Sequence, residues 1–212
     1  MVQLNSGDLV RIHYTGRLSS DQSVFETTDE ALAKSSGIWS DSTPYGPRVV
    51  IVGRGAMIAG LETGLQTLSA GQSGHFSIKA DQAFGPRFAE LVRVMPEREF
   101  AKSGVKAAPN LIVSIDGVPA LVKSVSSGRI MLDFNHPLAG QDLEYDVQLI
   151  EVITDPAQKA QELAKALGGS VAVDAPSKTV SIPKSVAPKV AQNLEAALKA
   201  SLEGWTIKIE TQ

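Results

Sequence analysis

Carboxylates abound in this chain, but no pair of them stands out from a solvated surface. There is no cysteine, which removes thiol catalysis, disulfides and cysteine-based metal sites. The three histidines, His13, His75 and His136, are scattered over different predicted elements, and no pair stands four apart with a glutamate between, as a helical zinc site requires. No Gly-Xaa-Ser-Xaa-Gly elbow occurs, so a strand-to-helix serine nucleophile is absent too. One glycine-rich stretch, VIVGRGAMIAGLETGL from Val50 to Leu65, invites comparison with a phosphate loop. A phosphate loop needs Gly-Lys-Ser/Thr entering its helix, and here Gly60 is followed by Leu61 and Glu62. The dinucleotide pattern Gly-Xaa-Gly-Xaa-Xaa-Gly fails as well, because the third glycine comes two residues late. What remains at this turn is apolar: Met57, Ile58 and Leu61 open the helix, a floor suited to an apolar ligand.

The elements that would position this floor read as follows. Val50, Ile51 and Val52 form a β-branched strand, Gly53 and Gly55 permit a sharp turn, and Met57, Ile58, Leu61, Leu65 and Leu68 recur at helical spacing. Gly60 and Gly64 thin one side of that helix for close packing. Leu9 to Leu18 alternates as a strand, with Val10, Ile12 and Tyr14 on one face and Leu9, Arg11 and His13 on the other; Gly16 marks a bulge. Val24 and Phe25 begin a second extended piece, and Asp29 caps a short helix that Gly37 ends. Gly74 to Lys79 alternates again. After Ala83-Phe84-Gly85-Pro86 the texture changes: Glu97 to Phe100 reads as a helical turn, and 111–134 as a three-strand meander turning at Asp116-Gly117 and Ser127-Gly128. Leu143, Tyr145, Val147 and Leu149 alternate in a long strand. Asp155-Pro156 starts an amphipathic helix, and 155–212 reads as helix, strand, strand, helix, strand.

Composition narrows the class. Of 212 residues, 43% are hydrophobic, enough for packed cores. A net charge of −3 offers no footprint for nucleic acid or an anionic membrane. No apolar run approaches the roughly 18 residues of a membrane span, and no start resembling a signal peptide is seen. The expectation is a mildly acidic cytoplasmic protein with neither nucleic-acid nor membrane partners.

The motifs VRIHYTGRL, VFETT, VIVGRGAMIAGLETGL, AFG and LEYDVQL, in this order, resemble an FKBP-type peptidyl-prolyl cis-trans isomerase. ELVRVMPEREF, IDGVPALVKSV and MLDFNHPLAG resemble the insert-in-flap module of SlyD-like members. The long loop after Thr27 and the C-terminal unit resemble the long archaeal type. The resemblance implies an α+β fold: an antiparallel half-barrel wrapped on one short helix, formed by 1–86 and 136–153, with a small β-rich insert at 87–135 and an α+β domain at 155–212.

It also implies roles. The prolyl pocket would comprise Tyr14, Phe25, Glu26, Met57, Ile58, Leu61, Phe84 and Tyr145, with Leu138 at its flank and the backbone N–H of Ile58 holding a substrate carbonyl. Glu26 stands where aspartate is common, Leu61 where tryptophan is frequent, and Phe84 where tyrosine is frequent, so a phenolic donor is missing at position 84. Taken alone, the aromatic residues could equally be core. Leu91, Val94, Met95 and Phe100 of the insert would capture unfolded chains. Activity would need no cofactor and no metal. Partners would be unfolded polypeptides with X-Pro bonds and, for the same pocket, macrolide inhibitors; the amphipathic C-terminal helices could pack on their own sheet or pair with a second copy. The rival reading is a catalytically weak holdase or assembly scaffold.

Overall fold

The computed structural model describes residues 4–100 and 107–210. In chain order the elements are β1 (Leu9–Leu18), β2 (Val24–Thr27), α1 (Glu30–Ser35), β3 (Arg48–Ile51), α2 (Ala59–Leu65), β4 (Ser73–Ile78), β5 (Val92–Pro96), α3 (Glu97–Phe100), β6 (Ile112–Ile115), β7 (Val118–Ser126), β8 (Arg129–Asp133), β9 (Leu143–Ile153), α4 (Pro156–Ala166), β10 (Ala172–Asp174), β11 (Thr179–Ile182), α5 (Pro188–Ser201) and β12 (Thr206–Ile209). This is a mixed α+β chain with few helices, two antiparallel sheets and a small third sheet β10-β11-β12 in which β11 and β12 run parallel, compatible with an FKBP-like fold. It divides into two compact units, Met1–Ile78 with Leu143–Gln212, and Lys79–Asp142.

In the first unit β1 and β9 form the centre of an antiparallel sheet ordered β2-β1-β9-β4, and β3 also pairs with β1. β9 shows why: Leu143, Tyr145, Val147 and Leu149 are buried, while Asp146 and Gln148 are exposed, the alternation of a sheet with one wet face. α2 packs on β4 and β9. The two helix glycines make this possible: a Cβ on Gly60 would lie 2.4 Å from Ile78 Cγ2, and one on Gly64 2.7 Å from Phe76 Cδ1. The thin face of α2 is thus filled by side chains of β4.

The C-terminal elements share a core with this sheet. Leu9 and Ile153, which face each other across β1 and β9, are buried together with Leu163 of α4, Ile182 of β11, and Leu194 and Leu198 of α5. Arg11 lies beside this core. Its Nε donates to Glu151 at 2.8 Å and its Nη2 to Glu162 of α4 at 3.2 Å. α4 begins as its sequence dictates, with Pro156 in the first turn and the Asp155 carboxylate accepting the Gln158 N–H at 2.8 Å. The apolar faces of both amphipathic helices are therefore covered within the chain.

The second unit is a four-stranded sheet, β5-β8-β7-β6. The three expected strands appear, and β5 joins them as a fourth, paired with β8. Both tight turns use left-handed backbone at two successive residues: Asp116 and Gly117 at φ 51° and 81°, Ser127 and Gly128 at 51° and 70°. That geometry matches the right-handed strand twist of a hairpin. The inner face buries Val122, Ile130 and Leu132 against Phe100 of α3.

Candidate active site

Three strands bring Phe25, Glu26 and Tyr145, all expected at the pocket, together over one glycine. Gly16 of β1 pairs with Glu26 of β2 on one side and with Tyr145 of β9 on the other, so all three share a sheet face. The β1–β2 register then skips a residue: Gly16 faces Glu26 and Arg17 faces Val24, leaving Phe25 as the extra residue of a bulge. A bulge re-aims its side chain, and Phe25 joins Glu26 above Gly16. A Cβ at Gly16 would stand 2.7 Å from Phe25 Cζ, 3.0 Å from Tyr145 Cε1 and 3.1 Å from Glu26 Cγ. Gly16 is needed here for space, and the bulge that its presence in the sequence suggested has its extra residue on the neighbouring strand.

The aromatic rings interlock. Phe25 meets Tyr145 edge-on, with centroids 5.8 Å apart and planes at 83°; Tyr14 lies 6.2 Å from Tyr145 at 46°. Tyr145 is 1% exposed, and its hydroxyl donates to Glu26 Oε1. Burial first, and the Glu26 carboxylate second, push the Tyr145 phenol well above its ordinary range. Tyr14 shifts in the same direction for the same leading cause, burial, while Arg48 opposes it. Both phenols are therefore neutral donors at physiological pH.

α2 supplies the apolar part. Ile58 is its N-cap in extended backbone, φ −63° and ψ 147°, with no side-chain cap. Its carbonyl accepts from Leu61 N and Glu62 N, and among the described residues its own N–H has no acceptor. Leu61 is 3% exposed and Leu65 fully buried; Met57 and Ile58 are half-buried. The preceding turn has Gly53 and Gly55 at φ 71° and 67°. The Glu62 carboxylate closes it by accepting the Gly55 N–H at 3.0 Å. A backbone donor that a phosphate loop would offer its ligand is here taken by the chain's own acid, a contact that residue types alone did not reveal.

Phe84 and Leu138 belong to the second unit. Phe84 stacks on His136, centroids 4.1 Å apart and planes at 5°. His136 Nδ1 in turn accepts the Leu138 N–H at 3.2 Å. His136 thus touches two residues expected at the pocket; the run NHPLAG is the signal that could have singled it out. Nearby, the Asn135 amide clasps Phe88, accepting its N–H and donating to its carbonyl, both at 2.9 Å, and Arg87 pairs with the buried Asp133 carboxylate. Of the residues expected to capture unfolded chains, Val94 is exposed, Leu91 and Met95 are half-buried, and Phe100 is a core residue at 2% exposure. Ile112 at 65%, Val118 at 50% and Met131 at 39% are exposed as well. Val94 and Met131 are cross-strand partners and so lie on the outer face of that sheet.

A groove of about 860 Å³ lies on the other face of the first unit's sheet, lined by outward residues such as His13, Thr15, His75, Asp146 and Gln148. Two polar side chains that line it are paired: His75 Nδ1 is 2.8 Å from Asp146 Oδ1, and Arg17 also pairs with Asp146. No cluster of three metal-ligating side chains occurs among the described residues. No helix among them is long and apolar enough to cross a membrane.

Comparison with known proteins places the chain in a family. A family model described as the IF domain of FKBP26 matches residues 93–138. The chain is 32% identical over 163 residues to the FKBP-type 16 kDa peptidyl-prolyl cis-trans isomerase of Escherichia coli (strain K12), covering 75% of this chain and 97% of that protein. It is 29% identical over 149 residues to the short-type peptidyl-prolyl cis-trans isomerase of Methanocaldococcus jannaschii, 70% of this chain and 94% of that protein. With the isomerase SlyD of Yersinia pestis it shares 31% over 120 residues, 55% of this chain and 62% of that protein. With near-complete coverage of the Escherichia coli relative, the chain belongs to the FKBP-type peptidyl-prolyl cis-trans isomerase family.

Proposed function

We propose that this protein catalyses cis–trans isomerisation of X-Pro bonds in unfolded or partly folded polypeptides, binding proline against Tyr14, Phe25, Met57, Ile58, Leu61 and Tyr145. The observation that carries this is the convergence of Phe25, Tyr145 and Glu26 over the bare Cα of Gly16, with Tyr14 alongside. The physical case is simple. An X-Pro bond rotates over a barrier of about 20 kcal/mol. Its transition state is a twisted amide with less resonance and a smaller dipole than the planar form. A dry apolar wall disfavours the planar amide relative to the twisted one. A thousandfold acceleration needs only about 4 kcal/mol of this difference, and no proton has to move. The Ile58 N–H, which has no acceptor among the described residues, is suited to hold the carbonyl preceding proline.

The second unit fits a holding role. Its outer sheet face presents Val94, Met131 and Ile112 to solvent, an apolar surface of the kind that recruits other chains. A tethered chain presents its prolines at high local concentration, so weak capture accelerates refolding. Supporting this reading, residues 93–138 match the IF-domain model.

The test is refolding of a protein whose slow phase is proline-limited, with the intact chain and with residues 88–134 replaced by a short loop. We expect the intact chain to accelerate the slow phase and the shortened chain to lose most of that effect while still turning short peptides. Equal acceleration by both overturns the tethering role.

A further inference from the structure

On the same sheet face as the pocket stands a cation that the proposed isomerisation does not use. Arg48 pairs with Ile12 across β1 and β3, and Ile12 points to the same side as Tyr14, two residues on. β2 occupies the same edge of β1 further along, with Glu26 opposite Gly16. Tyr14 therefore lies between a guanidinium and a carboxylate. Its phenol senses both: burial is the leading cause of its raised pKa, the Glu26 carboxylate adds to it, and the Arg48 guanidinium opposes it. Four residues of strand, roughly 13 Å, separate the pairing positions of the two charges.

The charges are not equivalent. Glu26 already accepts the Tyr145 hydroxyl. Arg48 is half-buried, and among the described residues no carboxylate lies within 4.0 Å of it, although Arg11, Arg17 and Arg87 each have one. A guanidinium carries five donors in a planar fork suited to a carboxylate. Removing such a group part-way from water without an anion is unfavourable, so it persists where an anion arrives with the ligand.

Resting on the isomerase reading above, we propose that Arg48 is a specificity-determining residue, which selects polypeptides carrying a carboxylate on a residue bracketing the proline. The Tyr14 hydroxyl completes the acceptor-binding corner, and Glu26, paired opposite Gly16 and bonded to Tyr145, stands four strand positions away from the guanidinium's pairing position.

The experiment measures peptide isomerisation by exchange NMR with the full chain. Two isosteric pairs are used, Ala-Glu-Pro-Phe against Ala-Gln-Pro-Phe, and Ala-Ala-Pro-Glu against Ala-Ala-Pro-Gln. A charge-assisted hydrogen bond implies a Glu-to-Gln ratio of kcat/KM up to about tenfold in one pair. The ratio should shrink with added salt, collapse to near unity in Arg48→Gln, and recover in part in Arg48→Lys. A wild-type ratio near unity in both pairs overturns the proposal, as does a ratio that survives Arg48→Gln. The wild-type ratio needs no variant to fold. Failure to accelerate any of the four peptides is a distinct result: it overturns the isomerase reading, and this selectivity with it.

Discussion

The Tyr145 hydroxyl donates a hydrogen bond to the Glu26 carboxylate across 119 residues of sequence. It ties the central strand β9 to the bulged edge strand β2. Tyr145→Phe leaves a half-buried carboxylate short of one donor, at an expected cost of about 1–3 kcal/mol. The phenol's pKa is raised above its ordinary 10.0, chiefly by burial, so the folded chain holds this proton more tightly than the unfolded one. Its contribution is complete below the unfolded value and declines as pH rises past it. Urea denaturation at about pH 9 and 11 should show wild type losing more stability than Tyr145→Phe over that interval. Tyr14 shifts in the same direction and gives the variant a residual slope. Equal slopes in the two proteins contradict the assignment.

Gly16 is held to glycine by crowding, as its φ lies outside the left-handed range. Gly16→Ala puts a methyl 2.7 Å from Phe25 and 3.0 Å from Tyr145. The rings must shift, at a cost of about 1–3 kcal/mol. The expected result is a folded protein with near-native circular dichroism, a lowered urea midpoint and reduced peptide turnover. Unchanged turnover would show that the ring cluster is not the substrate wall.

The long alternating strands, the hairpin glycines and the Asp155-Pro156 start were all legible in the sequence, because each is set by neighbouring residues. β5 was not: Val92–Pro96 alternates weakly and ends in proline, and only pairing with β8 makes it a strand. The bulge was anticipated at Gly16, yet its extra residue, Phe25, depends on register with a neighbouring strand. The Glu26–Tyr145 contact joins partners 119 residues apart, which local sequence cannot pair. Residue types also could not separate Phe100, a core residue of the second unit, from the exposed Ile112 and Met131, since that follows from which sheet face α3 covers.

The C-terminal elements share one core with β1 and β9, so they should not be separable from the sheet. Ending the chain at residue 154 exposes Leu9 and Ile153, now 0% and 1% exposed, and strips Glu162 from Arg11. Loss of two such burials alone costs about 3–6 kcal/mol. The truncated chain is expected to unfold at much lower urea or to aggregate. A truncated chain with the wild-type urea midpoint contradicts the shared core.

Charges on the outer face of the second unit should separate capture from catalysis. Val94→Asp with Ile112→Asp alters side chains 56% and 65% exposed, where stability changes are usually within about 0.5 kcal/mol each. Acceleration of protein refolding should drop, while turnover of a tetrapeptide stays near wild type. Parallel loss of both activities would remove the division of labour.

The apolar pocket is tested most directly by exchange NMR on Ala-Leu-Pro-Phe with wild type and Leu61→Ala. Leu61 is 3% exposed on α2, and truncating it opens the floor at a stability cost of about 2–5 kcal/mol, so both proteins are measured at a temperature where each is folded. Wild type should raise the exchange rate at least about tenfold over buffer, equivalent to about 1.4 kcal/mol of barrier, and Leu61→Ala should lose most of that gain. A wild-type rate equal to buffer, or a Leu61→Ala rate equal to wild type, contradicts the pocket.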